Sequence, residues 1–214
     1  MPKIKAVLFD MDGVLIEAKD WHYEALNQAL SLFGYEISRY EHLTAYDGLP
    51  TRVKLEKLTL EKGLPKSLHS FINEMKQQYT VSMIQTKCRP RFAHEYALSR
   101  LKAEGYKMAV GSNSVRMTLE LMMHNARLTR YFEFMLSNED VAKAKPSPEI
   151  YSTAMKRLGL DPDECLIVED NENGIKAAIG SGGHLMQVAT VDDVTYEGIK
   201  KRIAEIEKGE SPCK

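Results

Sequence analysis

The feature that most constrains this chain is an alternation: from residue 91 to residue 208, short apolar runs take turns with amphipathic stretches of helical period. The amphipathic stretches predict helices over Arg91–Glu104, Val115–Ala126, Pro148–Leu158 and Glu172–Ile179, and a polar final helix near Thr195–Lys208. Between them, the apolar runs Lys107–Gly111, Phe132–Leu136, Cys165–Val168 and Leu185–Val188 predict strands. Strands that alternate with helices form a parallel sheet covered on both faces, so the expected fold class is α/β, a doubly wound, Rossmann-like sheet. In such a sheet the ligand crevice lies beyond the carboxyl ends of the strands, where the strand order switches sides.

The first strand is separated from this repeat. Ile4–Phe9 is a short apolar run stopped by Asp10-Met11-Asp12-Gly13, and the period then changes. Ala25, Leu26, Ala29, Leu30 and Phe33 fall on one helical stripe that Gly34 can end. Val53, Leu55, Leu58 and Leu60, then Leu68, Phe71, Ile72, Met75 and Tyr79, predict two more helices separated by Gly63-Leu64-Pro65. No strand signal occurs between Glu17 and Gln85. The expected organisation is an α/β core of residues 1–16 and 87–214 with an inserted all-helical cap of residues 17–86. At roughly 150 residues per domain, the chain's 214 residues agree with one domain carrying a sizeable insertion, or with two small domains.

Composition excludes several classes. Lys plus Arg is 29 against 30 Asp plus Glu, and no basic block breaks that balance locally, which argues against a nucleic-acid partner. The longest apolar runs fall far short of the roughly 18 residues a spanning helix needs, so no membrane is expected. Asp10 interrupts any secretory apolar segment, and three scattered cysteines, Cys88, Cys165 and Cys213, cannot all pair internally. A reducing cytoplasm is the expected location.

Oxygen and nitrogen groups gather where the strands should end. Asp10 and Asp12 stand two apart at the first strand end, a spacing that can turn both carboxylates to one side, and Gly13 permits a tight turn. Val110-Gly111 runs into Ser112-Asn113-Ser114 at a helix start, which offers an anion a hydroxyl and backbone N–H groups; Ser112 alone would read as an ordinary helix cap. Lys145 and Ser147 each precede a proline, a stiff entry that would aim a lysine otherwise read as solvated. Leu166-Ile167-Val168 ends in Glu169-Asp170, which could equally be acids favouring a helix N-terminus. Collected in one crevice, Asp10, Asp12, Glu169 and Asp170 would repel one another unless neutralised. Lys145, a divalent cation and a proton on Asp12 would bring the sum near zero. Oxygen-only ligands select a hard cation, so Mg²⁺ is the expected cofactor.

Taken in order, Asp10-Met11-Asp12-Gly13-Val14, Ser112-Asn113, Lys145-Pro146-Ser147-Pro148-Glu149-Ile150-Tyr151 and Val168-Glu169-Asp170-Asn171-Glu172-Asn173-Gly174-Ile175 resemble the motifs of the haloacid dehalogenase-like superfamily. The helical insert after the first motif resembles the cap of its β-phosphoglucomutase and sugar-phosphatase subgroup. The resemblance implies that Asp10 is the nucleophile and forms an aspartyl-phosphate, and that Asp12 is the general acid and base. It implies that Asp10, Asp170 and the carbonyl of Asp12 hold Mg²⁺, with Glu169 adjacent either as a further ligand or behind the ligands, and that Ser112, Asn113 and Lys145 bind the phosphoryl group. An aspartate at position 12 also favours phosphate-monoester chemistry over dehalogenation, which has no alkoxide to protonate.

The substrate implied is a small phosphorylated metabolite, and the reaction is hydrolysis, with a phosphohexomutase as the alternative. His22 stands where mutase-like members carry a histidine that steers the acid-base aspartate, and Trp21 beside it could line the substrate space. Gly48-Leu49-Pro50-Thr51-Arg52 resembles the cap loop that reads substrate, with its arginine one place later than in the mutase pattern, and Ala18 replaces a hinge threonine. Arg52, Tyr46 and Lys54 are further cap residues that could meet the substrate. A phospho-receiver signalling domain shares clustered aspartates and a Lys-Pro pair, but not a partner acid and a helical insert on the first strand.

Overall fold

The computed structural model describes residues 3–209, so Cys213 lies outside the described residues. Five parallel strands form one sheet: β1 (Ala6–Phe9), β2 (Lys107–Gly111), β3 (Phe134–Leu136), β4 (Cys165–Glu169) and β5 (His184–Gln187), in the order β3-β2-β1-β4-β5. The two-residue period of extended chain divides the strand side chains between two cores. Val7, Phe9, Met108, Val110, Leu166 and Val168 face one side. Ala6, Leu8, Ala109, Cys165 and Ile167 face the other.

Each face is covered by helices whose stripes match it. Phe92–Ala103 (α4 in chain order), Arg116–Asn125 (α5) and Tyr196–Lys208 (α8) cover the first, burying Leu98, Leu119, Met122, Ile199 and Ile203. Glu149–Leu158 (α6) and Glu172–Ser181 (α7) cover the second, burying Ile150, Tyr151, Ala154, Ala177 and Ala178. The chain therefore winds from β1 through β2 to β3 over one face and returns through β4 to β5 over the other, which makes the sheet doubly wound.

Between β1 and α4 the described residues form helices and turns: α1 (Lys19–Ser31), a single turn at Arg39–Glu41, α2 (Thr51–Lys62) and α3 (His69–Lys87). These have a core of their own, in which Leu26, Ala29 and Leu30 meet Ile37, Tyr46, Leu55, Leu58, Leu64 and Ile72. Gly63, at φ +70°, ends α2 in the left-handed conformation that favours glycine. Three stripe positions differ from expectation, and one of them, Phe33, lies past the end of α1 and is 37% exposed. Leu60 is 86% exposed because it lies two residues, or roughly 200° of helix, beyond buried Leu58. Phe71 stays half-exposed and rests edge-on against Phe33.

The third strand is shorter than expected. Thr129–Tyr131 forms a 3-10 turn, and Phe132 turns its ring edge-on to Phe9 instead of pairing. Cys88 and Cys165 are buried free thiols, and burial raises their pKa to about 11 and about 12. No helix among the described residues is long and apolar enough to cross a membrane.

Candidate active site

Three strand ends and one loop converge at the switch point. The Asp10 N–H continues the ladder one residue past β1 by donating to the Val168 carbonyl, and the Asp10 side chain is 6% exposed. Lys145 Nζ lies 2.6 Å from Asp10 Oδ1 and 2.6 Å from Glu169 Oε1. It also donates to the Tyr151 hydroxyl at 2.9 Å, and that hydroxyl donates to Glu169 Oε1 at 2.6 Å. Each charge in this buried knot has a partner, which is the condition for burying charge without a prohibitive penalty. Tyr151 was not anticipated, although it falls on the buried stripe of α6 beside Ile150 and Ala154.

Two glycines make room for the acids. A Cβ on Gly174, in the first turn of α7, would fall 2.0 Å from the Glu169 carboxylate. Gly13 has φ +93°, and a Cβ there would fall 2.0 Å from Asp170 Oδ2. Burial and then Glu169 push the Asp10 carboxyl well above the usual range, against the pull of Lys145. Burial also raises Asp170, opposed by Lys19, whose Nζ lies 2.5 Å from Asp170 Oδ2.

Asp10, Glu169 and Asp170 each offer a carboxylate oxygen within 4.8 Å of the others. Asp170 Oδ2 is buried and accepts no well-directed hydrogen bond, despite the nearby Lys19 ammonium. A buried, oxygen-only set with one underused oxygen suits a hard divalent cation. Glu169 is the most committed member: Oε1 serves Lys145 and Tyr151, and Oε2 accepts the Asp170 N–H.

The Asp12 carboxylate faces away from that triad, toward the helical segment, so the four acids expected in one crevice divide three and one. Its Oδ1 is 3.1 Å from His22 Nε2. Its Oδ2 accepts from Ser114 at 2.9 Å, with the Ser112 hydroxyl at 3.4 Å. On the other edge of the ring, Lys76 Nζ lies 3.2 Å from His22 Nδ1. An ammonium can only donate, so Nδ1 accepts and Nε2 carries the proton given to Asp12. Burial works to raise the Asp12 pKa, but His22, Ser114 and Lys76 outweigh it and hold the carboxyl below its ordinary value. Burial and Lys76 likewise lower His22.

Asn113 takes a bracing position. Its side chain donates to the Gly48 and Lys145 carbonyls and accepts the Lys145 N–H, tying the α1–α2 connection to the backbone that carries Lys145. The part of Asn113 left to meet an anion is its backbone N–H.

These groups open onto a cavity of about 770 Å³ between the strand ends and the helical segment. Arg52 lines its rim with a side chain 83% exposed, 3.5 Å from Glu56. Trp21 packs against the core of the sheet, and Tyr46 is buried among the inserted helices with its hydroxyl on Glu61. Lys54, expected among the cap residues that could meet the substrate, and Ser114, from the run expected to meet an anion, line the cavity, as do Lys19 and Lys76, which the sequence did not single out. Lys76 had a signal available, since it shares the buried face of α3 with Ile72, Thr80 and Met83.

Residues 7–188 match the model of the haloacid dehalogenase-like hydrolase family. A "Phosphorylated carbohydrates phosphatase" of Thermotoga maritima is 27% identical over 182 residues, covering 84% of this chain and 82% of that protein. A "Phosphoglycolate phosphatase" of Aquifex aeolicus is 29% identical over 179 residues, covering 84% and 82%. Among solved structures, the β-phosphoglucomutase of Clostridium difficile shares the fold with a TM-score of 0.83 at 21% identity, covering 96% of this chain and 99% of that one.

Proposed function

Because the chain belongs to the haloacid dehalogenase-like hydrolase family, we propose that it is a phosphatase that releases phosphate from a small monoester, a phosphosugar or similar polar metabolite. The observation that carries this reading is the pairing of a buried carboxylate held by Lys145, at Asp10, with a second one, at Asp12, turned toward the cavity and its own hydrogen-bond partners. Residues 17–86 act as the cap that closes over substrate, on a core of residues 1–16 and 87–214.

An Asp10 oxygen attacks phosphorus, the bond from phosphorus to the ester oxygen breaks, and Asp12 gives its proton to the departing alkoxide. Water then attacks the aspartyl-phosphate, Asp12 takes a proton from it, and the bond to Asp10 breaks to release phosphate. Substrate arrives carrying negative charge, which raises the Asp12 pKa toward the protonated form that the first step needs. His22 holds Asp12 in place and Lys76 fixes the tautomer of His22. Ser112, the Asn113 N–H and Lys145 bind the phosphoryl oxygens, and Lys145 stabilises charge developing there.

Asp10 and Asp170, with the Asp12 carbonyl, would hold Mg²⁺, while Glu169 orients Lys145. The ion, when bound, supplies neutralisation of the acids and polarisation of the phosphoryl group. The buried free thiols Cys88 and Cys165 support a reducing cytoplasm.

The test is phosphate release over a panel of phosphosugars, phosphoalcohols and nucleotides. Activity should vanish in Asp10→Asn, fall with a chelator and return with Mg²⁺; unchanged release by Asp10→Asn overturns the nucleophile. The contact of His22 with Asp12 also favours a second reading, a phosphohexomutase. Isomer interconversion faster than phosphate release, stimulated by a bisphosphorylated sugar, would establish it.

A further inference from the structure

The charges around the cavity are unevenly answered. On the strand side, Lys145 meets Asp10 and Glu169, and Lys19 meets Asp170. On the helical side, Lys54 and Lys76 are 7% and 6% exposed and line the same cavity. Among the described residues, no carboxylate oxygen lies within 4.0 Å of either ammonium. Lys76 at least directs one donor to His22. Lys54, in the first turn of α2, makes no hydrogen bond to any described residue that would occupy its three donors.

The neighbourhood of Lys54 does not neutralise it. Asp47 is the nearest acid in effect, but its Oδ1 is turned to His42, 3.8 Å from Nε2, and that nitrogen has no hydrogen-bond partner. Most of the Lys54 side chain is out of solvent while it lines the cavity, and an ammonium so placed loses much of its hydration unless an anion compensates it. Packing alone does not call for one, since an apolar side chain of similar length, such as methionine, would fill the space without the penalty. A hydroxyl-bearing guest would leave the charge uncompensated, whereas an anionic group would complete it with charge-assisted hydrogen bonds.

We propose that the substrate carries a second anionic group, a carboxylate or a phosphate, on the part that leaves with the alcohol, and that Lys54 is its receptor. This rests on the phosphatase reading and narrows it: the scissile phosphate sits against Asp10, and the distal anion reaches across the cavity to the helical wall. Lys76 and the rim residue Arg52 add positive potential on the same side. Esters whose alcohol is uncharged lack the group that the wall is charged to receive.

The full chain with Mg²⁺ is assayed on two matched pairs: glycerol 3-phosphate with 3-phosphoglycerate, and fructose 6-phosphate with fructose 1,6-bisphosphate. The first pair adds a carboxylate and the second a phosphate, so the two sources of the distal anion are separated. The expected result is a preference of at least tenfold in kcat/KM for the doubly anionic member of one pair. Lys54→Met should erase that preference through KM, and Lys54→Arg should retain most of it. Turnover without preference in either pair, or a preference that survives Lys54→Met, overturns the proposal. If instead no ester gives phosphate above the Asp10→Asn background, it is the phosphatase reading that has failed. Selectivity of the unaltered chain is informative even if Lys54→Met does not fold.

Discussion

The strand side and the helical side of the cavity solve the problem of buried charge in opposite ways. At the strand ends, Lys145, Asp10, Glu169 and Tyr151 satisfy one another at 2.6 to 2.9 Å, and glycines at 13 and 174 leave the acids their space. On the helical side, Lys54 and Lys76 are buried with no carboxylate beside them. The difference teaches where the chain completes a site by itself and where it leaves completion to a guest. A group fixed by its neighbours can be pre-aimed at a reacting atom, while a group left unpaired gains most from the ligand that pairs it.

The strongest way to break the strand side is Gly174→Ala. The new methyl would meet the Glu169 carboxylate at 2.0 Å, a contact that helix backbone on one side and the Lys145–Tyr151 knot on the other cannot both accommodate. Displacing Glu169 moves Lys145, and a shift of about 1 Å in a positioned group can lower turnover roughly hundredfold. We expect a loss of that order in kcat with the circular dichroism of the folded chain retained. Full activity would show that the knot is not needed to aim Lys145.

Tyr151→Phe is a gentler cut at the same place. It removes the hydroxyl that accepts from Lys145 and donates to Glu169, and leaves those partners to each other. Losing a buried hydrogen-bonding group of this kind costs about 1–3 kcal/mol, to be read from urea denaturation. No loss of stability would mean that the Lys145–Glu169 pair is already complete without it.

The helical side should answer to pH instead. Burial lowers both Lys54 and Lys76 to about 8, with Asp47 and Asp12 pulling Lys54 upward, and with the Lys54 charge pushing Lys76 further down against the pull of Asp12. The neighbouring imidazoles of His22 and His42 are both lowered, His42 to about 4, and stay neutral across this range. A lysine so lowered is charged below about pH 8 and loses its proton above it, rather than above its ordinary 10.5. KM for the doubly anionic ester should therefore climb as pH rises past 8, while KM for the matched ester of an uncharged alcohol does not follow. Parallel profiles would remove Lys54 from the recognition of the distal anion.

The same contrast explains what could be read from the residues alone. Asp10, Asp12, Glu169 and Asp170 were legible because short apolar runs stop at them, and the parallel sheet that those runs imply brings strand ends together. The direction of the Asp12 side chain was not legible, because it depends on Ser114 and His22, distant in sequence from each other. Lys76, and the burial of Lys54, were obscured for a different reason. A lysine on a helix ordinarily reaches water, and only the angular position of neighbours such as Leu55 and Ile72 shows which lysines face inward. Tyr46 and Trp21 illustrate the converse: residue type suggested a substrate wall, and the packing of the inserted helices and of the sheet used them as core.

Arg52 supplies the smallest expected effect and the sharpest control on the comparison. It carries the same charge as Lys54 two residues away, yet its side chain is 83% exposed and pairs with Glu56 across one helical turn at 3.5 Å. Water and salt screen a charge in that position, and an exposed pair of this kind contributes at most about 1 kcal/mol. If burial without a partner is what makes a cationic group select for an anionic guest, Arg52→Ala should change kcat/KM by no more than about threefold for either member of the matched pairs, with the change fading in added salt. A loss equal to that of Lys54→Met would mean that the helical segment closes further when substrate binds and carries Arg52 inward. Recognition would then depend on closure rather than on the burial already present in the free chain.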